Sequence, residues 1–132
     1  MGSIINYSCP ECGKSWNLHI GQGMLSCDKS EVLKCFGEMK RQVLQQILEM
    51  HPFDWRFEHV PGGCQNCKNL VSVPVVHYGR SQPSSAFESY KAQGNCSECG
   101  SEKIIFPTSM DKITCPFCGK GILSQREEGL WD

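Results

Sequence analysis

CSECGSEKIIFPTSMDKITCPFCG, residues 96–119, decides how this chain is read. It contains two Cys-x-x-Cys pairs, Cys96/Cys99 and Cys115/Cys118, separated by fifteen residues. Two thiolates three positions apart can reach one tetrahedral metal ion, and two such pairs close a four-thiolate site. A glycine, Gly100 or Gly119, follows each pair. Glycine adopts positive φ without steric penalty, so the chain can turn there and aim backbone N–H groups at the sulfurs. Lys103-Ile104-Ile105-Phe106 and Lys112-Ile113-Thr114 lie between the pairs, around the turn-rich Pro107-Thr108-Ser109-Met110-Asp111. That pattern predicts a hairpin.

The same arithmetic extends along the chain. Cys9/Cys12 and Cys64/Cys67 complete four pairs, so eight of ten cysteines fall into ligand spacing. Spacing favours Cys9, Cys12, Cys64 and Cys67 as a first site across a 51-residue gap. Cys96, Cys99, Cys115 and Cys118 then form a second, compact one. The crossed combination stays open: Cys64/Cys67 with Cys96/Cys99 across 28 residues, and Cys9/Cys12 with Cys115/Cys118. A set built from Cys9, Cys12, Cys27 and Cys35 would orphan Cys64/Cys67. Cys9-Pro10-Glu11-Cys12-Gly13 keeps the trailing glycine, whereas Lys68 replaces it after Cys67. Cys27 and Cys35 remain as free thiols, the first near a helix start and the second beside an apolar stripe, where burial is expected.

Length and composition fit this stapled reading. The 132 residues make one ordinary domain or two very small ones, with large apolar residues thinly spread. The first residues carry no basic region or apolar run of a signal peptide, and no stretch is apolar enough to span a membrane. A reducing, cytoplasmic setting is therefore expected, in which clustered Cys-x-x-Cys pairs are metal ligands rather than disulfides. The net charge of -1 becomes more negative once thiolates hold divalent ions. Nucleic acid is thus disfavoured, although Trp16 and the lysines at 14, 103, 112 and 120 could serve it. The adjacent cations Lys40-Arg41 are read as a solvated helix face.

An amphipathic helix is predicted over about 29–50. Asp28 caps it, and Glu31 is placed for a capping box. Val32, Phe36, Met39, Val43 and Ile47 form the stripe, which Leu33, Leu44 and Leu48 widen. Gly37 weakens its middle and can kink or split it, and His51-Pro52 ends it. Phe53, Trp55 and Phe57 alternate as a strand. Leu70–Val73 and Val75–Val76, interrupted by Pro74, read as an edge or broken strand. Three parts result: residues 1–78 with the helical insertion, a Gly/Ser/Pro-rich connection at 79–90, and a compact unit at 91–132.

The knuckles and the hairpin between them resemble a zinc ribbon with rubredoxin-like knuckles, over roughly 92–125. The overall layout resembles small bacterial zinc-ribbon proteins without assigned activity. It runs from Tyr7-Ser8-Cys9-Pro10-Glu11-Cys12-Gly13 through Gly21-Gln22-Gly23-Met24 and the inserted helix to Gly129-Leu130-Trp131-Asp132. The resemblance implies a small α+β, metal-stapled fold, two zinc ribbons of short antiparallel strands with one inserted helix. It implies two zinc ions, with iron as the alternative, and no activity. Four thiolates leave no open coordination position, and no nucleophile–base pair or phosphate-cradling loop is evident. The histidines at 19, 51, 59 and 77 show no ligand spacing. The expected function is a non-catalytic zinc-binding interaction or adaptor module with a protein partner, and Trp131 is a candidate contact. The rivals are a nucleic-acid-binding ribbon, a rubredoxin-like iron electron carrier and a Cys-x-x-Cys thiol–disulfide protein.

Overall fold

In a computed structural model the chain is described over residues 2–22, 28–50, 55–78 and 90–131. Nine elements follow in order. They are β1 (Gly2–Ser8), β2 (Ser15–Ile20), α1 (Lys29–Lys34), α2 (Glu38–Met50), β3 (Trp55–Cys64), β4 (Leu70–Tyr78), β5 (Tyr90–Gln93), β6 (Ile104–Ile105) and β7 (Ser124–Trp131). They build two antiparallel sheets, one ordered β2-β1-β7 and the other β5-β4-β3-β6. Two tetracysteine clusters accompany them, so the small α+β, metal-binding class holds. None of the described helices is long and apolar enough to cross a membrane.

Two hairpins organise the sheets, and each turns through a cysteine pair. β1 and β2 are in register from Ser3↔Ile20 to Ser8↔Ser15, with Cys9–Cys12 in the turn. β3 and β4 run from Trp55↔Tyr78 to Gly63↔Leu70, with Cys64–Cys67 in theirs. A third strand then joins each hairpin from far along the chain. β7 pairs with β1, ending at Ser8↔Ser124, and β5 pairs with β4 from Val75↔Gln93 to Tyr78↔Tyr90. Both sheets therefore contain strands from either side of residues 79–90. An isolated bridge, Gly21↔His59, and the Ser72 hydroxyl donating to the His19 carbonyl (2.6 Å) tie β2 to the second sheet.

Period-two alternation places the core. In β4 the odd-numbered Val71, Val73 and Val75 pack with Cys64 and Cys96. On the opposite face Val76 joins Phe57 under the helices, against Val32, Phe36, Leu44 and Leu48. Tyr7, Leu18, Ile20, Leu70, Ile113 and Leu123 pack around Cys9 and Cys115 in the third cluster. Each set of buried cysteines is thus part of a core, as thinly spread apolar residues require.

Several elements differ from the sequence-based expectation. The helix splits at Gly37. Asp28 Oδ1 caps α1 by accepting from Ser30 N (2.9 Å) and Glu31 N (3.4 Å). Glu31 pairs with Lys34 at 3.0 Å. The break resets the phase of the second helix. Leu44 and Leu48 become its buried residues, while Met39 and Val43 face solvent, 84% and 59% exposed. Pro74 does not break its strand: β4 runs through it in the sheet interior. Its carbonyl accepts from Gly94 N where the β5 ladder ends, and the missing donor falls on that same side. The hairpin expected between residues 103 and 114 does not form. Ile104 and Ile105 pair with Cys64 and Gly63 of β3, and Thr114 bridges Ile122. Phe53 and Cys27 lie outside the described residues.

Candidate metal centres

Each of the four cysteine pairs sits in the same turn. The residue after the second cysteine has positive φ: Gly13 (78°), Lys68 (62°), Gly100 (77°) and Gly119 (72°). Its N–H closes back on the carbonyl of the first cysteine at 2.8–3.0 Å. The first cysteine's own N–H is held by the carbonyl of Lys14, Asn69, Ser101 or Gly121. Lys68 therefore reproduces the glycine geometry despite its Cβ. A non-glycine residue in this left-handed region gives up roughly 1–2 kcal/mol.

The sulfurs gather into two groups, Cys9/Cys12/Cys115/Cys118 and Cys64/Cys67/Cys96/Cys99, each with all Sγ atoms within 4.8 Å. In the first, Cys9–Cys118 and Cys12–Cys115 are 3.6 and 3.7 Å apart. In the second, Cys64–Cys99 and Cys67–Cys96 are 3.5 and 3.7 Å apart. A tetrahedron with metal–sulfur bonds of about 2.3 Å places its sulfurs about 3.8 Å apart. Disulfide sulfurs would lie about 2.05 Å apart. The spacing is that of two metal cages, and each quartet can hold one ion.

The eight cysteines expected as ligands are thus brought together in two groups that could each hold an ion, but in the crossed combination. The pairing favoured by gap length, Cys9/Cys12 with Cys64/Cys67 and Cys96/Cys99 with Cys115/Cys118, is replaced. The cause is the sheet topology. β7 lies on β1, so the residues leading into β7 arrive beside the β1–β2 turn. A contact of 2.8 Å between the Ser8 and Ser124 hydroxyls marks the junction. Likewise β5 lies on β4 and delivers Cys96/Cys99 to the β3–β4 turn.

Polar groups around the sulfurs adjust the bare thiols. Asn66 Nδ2 donates to Cys99 Sγ at 3.5 Å and, with Ser101 N–H, lowers its pKa to about 6. The N–H groups of Gly121 and Lys120 lower Cys118 to about 6. Desolvation pushes Cys96 up to about 12. At Cys12 the Lys14 N–H pulls downward, but desolvation and the other three sulfurs outweigh it and raise the thiol to about 11. In each quartet the surroundings thus favour the thiolate at one sulfur, Cys118 or Cys99, and disfavour it at another, Cys12 or Cys96, and a cation that fills the site must displace the remaining thiol protons. Asn69 links the halves: its Nδ2 donates to Cys67 Sγ (3.5 Å) and its Oδ1 accepts from Trp16 Nε1 (3.3 Å). Gly121 passes so close to Cys9 that a Cβ there would lie 2.5 Å from the sulfur. Sequence spacing identified none of Asn66, Asn69 and Gly121, because neither a side-chain amide nor a close approach has a fixed offset from its ligand.

The remaining candidates lie elsewhere. Cys35 is at the end of α1, exposed rather than buried, with its thiol 3.6 Å from the Glu31 carbonyl. Burial of part of the side chain, then Glu31, raises its pKa. Trp131 docks on its own chain. Its Nε1 donates to the Ile20 carbonyl (3.0 Å), and its ring stacks on His19 and meets His59 edge-on, both at 5.4 Å. Lys40 and Arg41 lie at the surface, as expected, but also hold the fold together. Lys40 Nζ donates to Gln93 O (2.9 Å) and Asn95 Oδ1 (2.6 Å), holding α2 to the approach of Cys96. Arg41 donates to the Leu33 and Phe36 carbonyls at 3.0 and 3.1 Å, closing the end of α1. No family model, curated protein or solved structure matches this chain.

Proposed function

We propose that the chain is a non-catalytic, zinc-binding interaction module, its two zinc ions taking the place of a large apolar core. The observation that carries this reading is the closure of both quartets. Four thiolates around each centre fill a tetrahedral shell and leave no position for water or substrate. Buried Cys9, Cys64, Cys96 and Cys115 belong to the apolar clusters themselves, which is where structural ions belong. Zinc is favoured because thiolate ligands and tetrahedral geometry suit it; iron fits the same cage. The partner is proposed to be a protein. With Trp131 docked, its contact surface is sought on the exposed face of α2, at Met39, Val43 and Met50.

Elemental analysis of protein purified from its native host tests the metal. Two zinc ions per chain are expected, and chelation should remove both the metal and the cooperative melt. Two iron ions with visible colour would turn the reading toward an electron carrier. One ion or none would end the two-centre account.

A further inference from the structure

A second site lies between the metal centres. A cleft of about 410 Å³ opens where the β3–β4 turn faces the segment after β6 and the knuckle that precedes β7. Cys64 of one quartet and Cys115 of the other both reach its wall. Ile105, Phe106 and Pro116 give it an apolar side, and Ile105 is 57% exposed. Lys68 and Lys112 stand at its polar side, and no Asp or Glu lines it. Neither lysine forms an ion pair among the described residues.

Lys68 is the informative residue. Three knuckles place glycine at the positive-φ position, and only here does a side chain occupy it. A glycine would turn the chain equally well with less strain, so turn geometry gives no reason for a lysine. Backbone strain of this kind collects where the side chain has a use. The cleft supplies one, because the knuckle brings a cationic residue to a lining that also holds Lys112 and the apolar Ile105, Phe106 and Pro116.

We infer that this cleft binds a small organic anion, one acidic group on a flat apolar body, between Lys68, Lys112 and the Ile105–Pro116 wall. Its volume falls within the range of ordinary small-molecule sites. A divalent ion in each quartet leaves two net negative charges per centre. The two lysines offset half of that total charge, so the apolar wall must supply the rest of the affinity for an anion. Affinity then comes jointly from the ammonium groups and the wall, and it weakens with salt without vanishing.

The test uses the isotope-labelled, metal-loaded full chain and two probes, anilinonaphthalene sulfonate and inorganic phosphate, followed by amide NMR shifts. The sulfonate should move amides at Gln65, Lys68, Ile105, Phe106 and Lys112. Phosphate, lacking the apolar body, should bind the same place at least tenfold more weakly. Lys68→Gly restores the turn's glycine, so it should melt roughly 3 °C higher or more. The same variant should weaken the sulfonate at least fivefold. Lys112→Met should weaken the sulfonate similarly, and Ile105→Ser should do so without loss of metal. Equal affinity in Lys68→Gly, or shifts centred on Met39 and Val43 of α2, would overturn the assignment.

Discussion

The crossed pairing of the cysteines can be read out by counting ions in two double variants. Cys12→Ser with Cys118→Ser removes two ligands from one quartet and none from the other. Cys12→Ser with Cys67→Ser removes one from each. All three residues are exposed or half-buried, so the substitutions act on the metal before they act on the core. A structural four-ligand site supplies about 10–16 kcal/mol, or roughly 3–4 kcal/mol for each ligand. Losing one thiolate therefore weakens a site by about two to three powers of ten, and losing two by about four to six. A chelator can be chosen that strips three-thiolate sites but leaves a complete one. Under it, native mass spectrometry of Cys12→Ser/Cys118→Ser should show one ion per chain, and Cys12→Ser/Cys67→Ser none. The pairing by gap length demands the reverse result. One ion retained in the second variant and none in the first would refute the geometry.

Three further perturbations probe what surrounds the ligands. Gly121→Ala sets a methyl 2.5 Å from Cys9 Sγ, roughly 1 Å inside ordinary contact. Overpacking of about 1–3 kcal/mol should weaken the Cys9-containing centre about ten- to hundredfold in a chelator titration, sparing the other; equal weakening of both would contradict this. Gly37→Ala meets open space between α1 and α2 at a φ that alanine tolerates, so denaturant melts should show a gain of about 0.4–1 kcal/mol, and a loss would mean the break must stay flexible. His59 has a pKa lowered first by burial and then by His19, and its Nδ1 has no hydrogen-bond partner among the described residues. The unfolded chain then binds that proton more readily, so stability falls as pH drops below 6.5 toward the lower folded value. His59→Phe should flatten thermal stability between pH 7 and 5 relative to the parent, and an unchanged slope would remove His59 from the acid response.

The sequence carried which cysteines gather but not how they combine, and the reason is energetic. Across Cys12–Cys115 and Cys67–Cys96 the separations are 103 and 29 positions. Closing these instead of the 51- and 15-residue gaps adds only about 1 kcal/mol of chain entropy. That is small beside the binding energy of either centre, so gap length cannot choose between pairings. Strand pairing chooses, and the strand responsible was hidden. In β7, Ser124-Gln125-Arg126-Glu127-Glu128 is exposed throughout, an edge strand with charge on both faces and no alternation to detect. The same blindness affected α2. A single helical phase from Val32 to Ile47 made Met39 and Val43 core residues, but Gly37 separates two helices with independent phases. The knuckles were legible because their chemistry is local: a Cys-x-x-Cys turn and the residue after it set all the angles that matter.

That division of labour explains how one local motif gives two separate centres. A knuckle in a hairpin turn presents two sulfurs and nothing to complete them. Each sheet supplies the other two by adding one strand to the same hairpin, β7 on β1 and β5 on β4. The completing knuckles attach at opposite ends of those strands. Cys115/Cys118 precede β7, whereas Cys96/Cys99 follow β5. An antiparallel third strand runs alongside the hairpin strand it joins in the reverse direction, so one of its ends is the end nearer the turn. For β7 on β1 that end is its start, Ser124 opposite Ser8; for β5 on β4 it is its finish, Gln93 opposite Val75. A knuckle before β7 and a knuckle after β5 are therefore carried toward the sulfurs of their hairpin turns. The residues between Cys99 and Cys115 are then free of ligand duty. Ile104 and Ile105 add to β3, and the segment beyond them forms one wall of the cleft shared by the two centres.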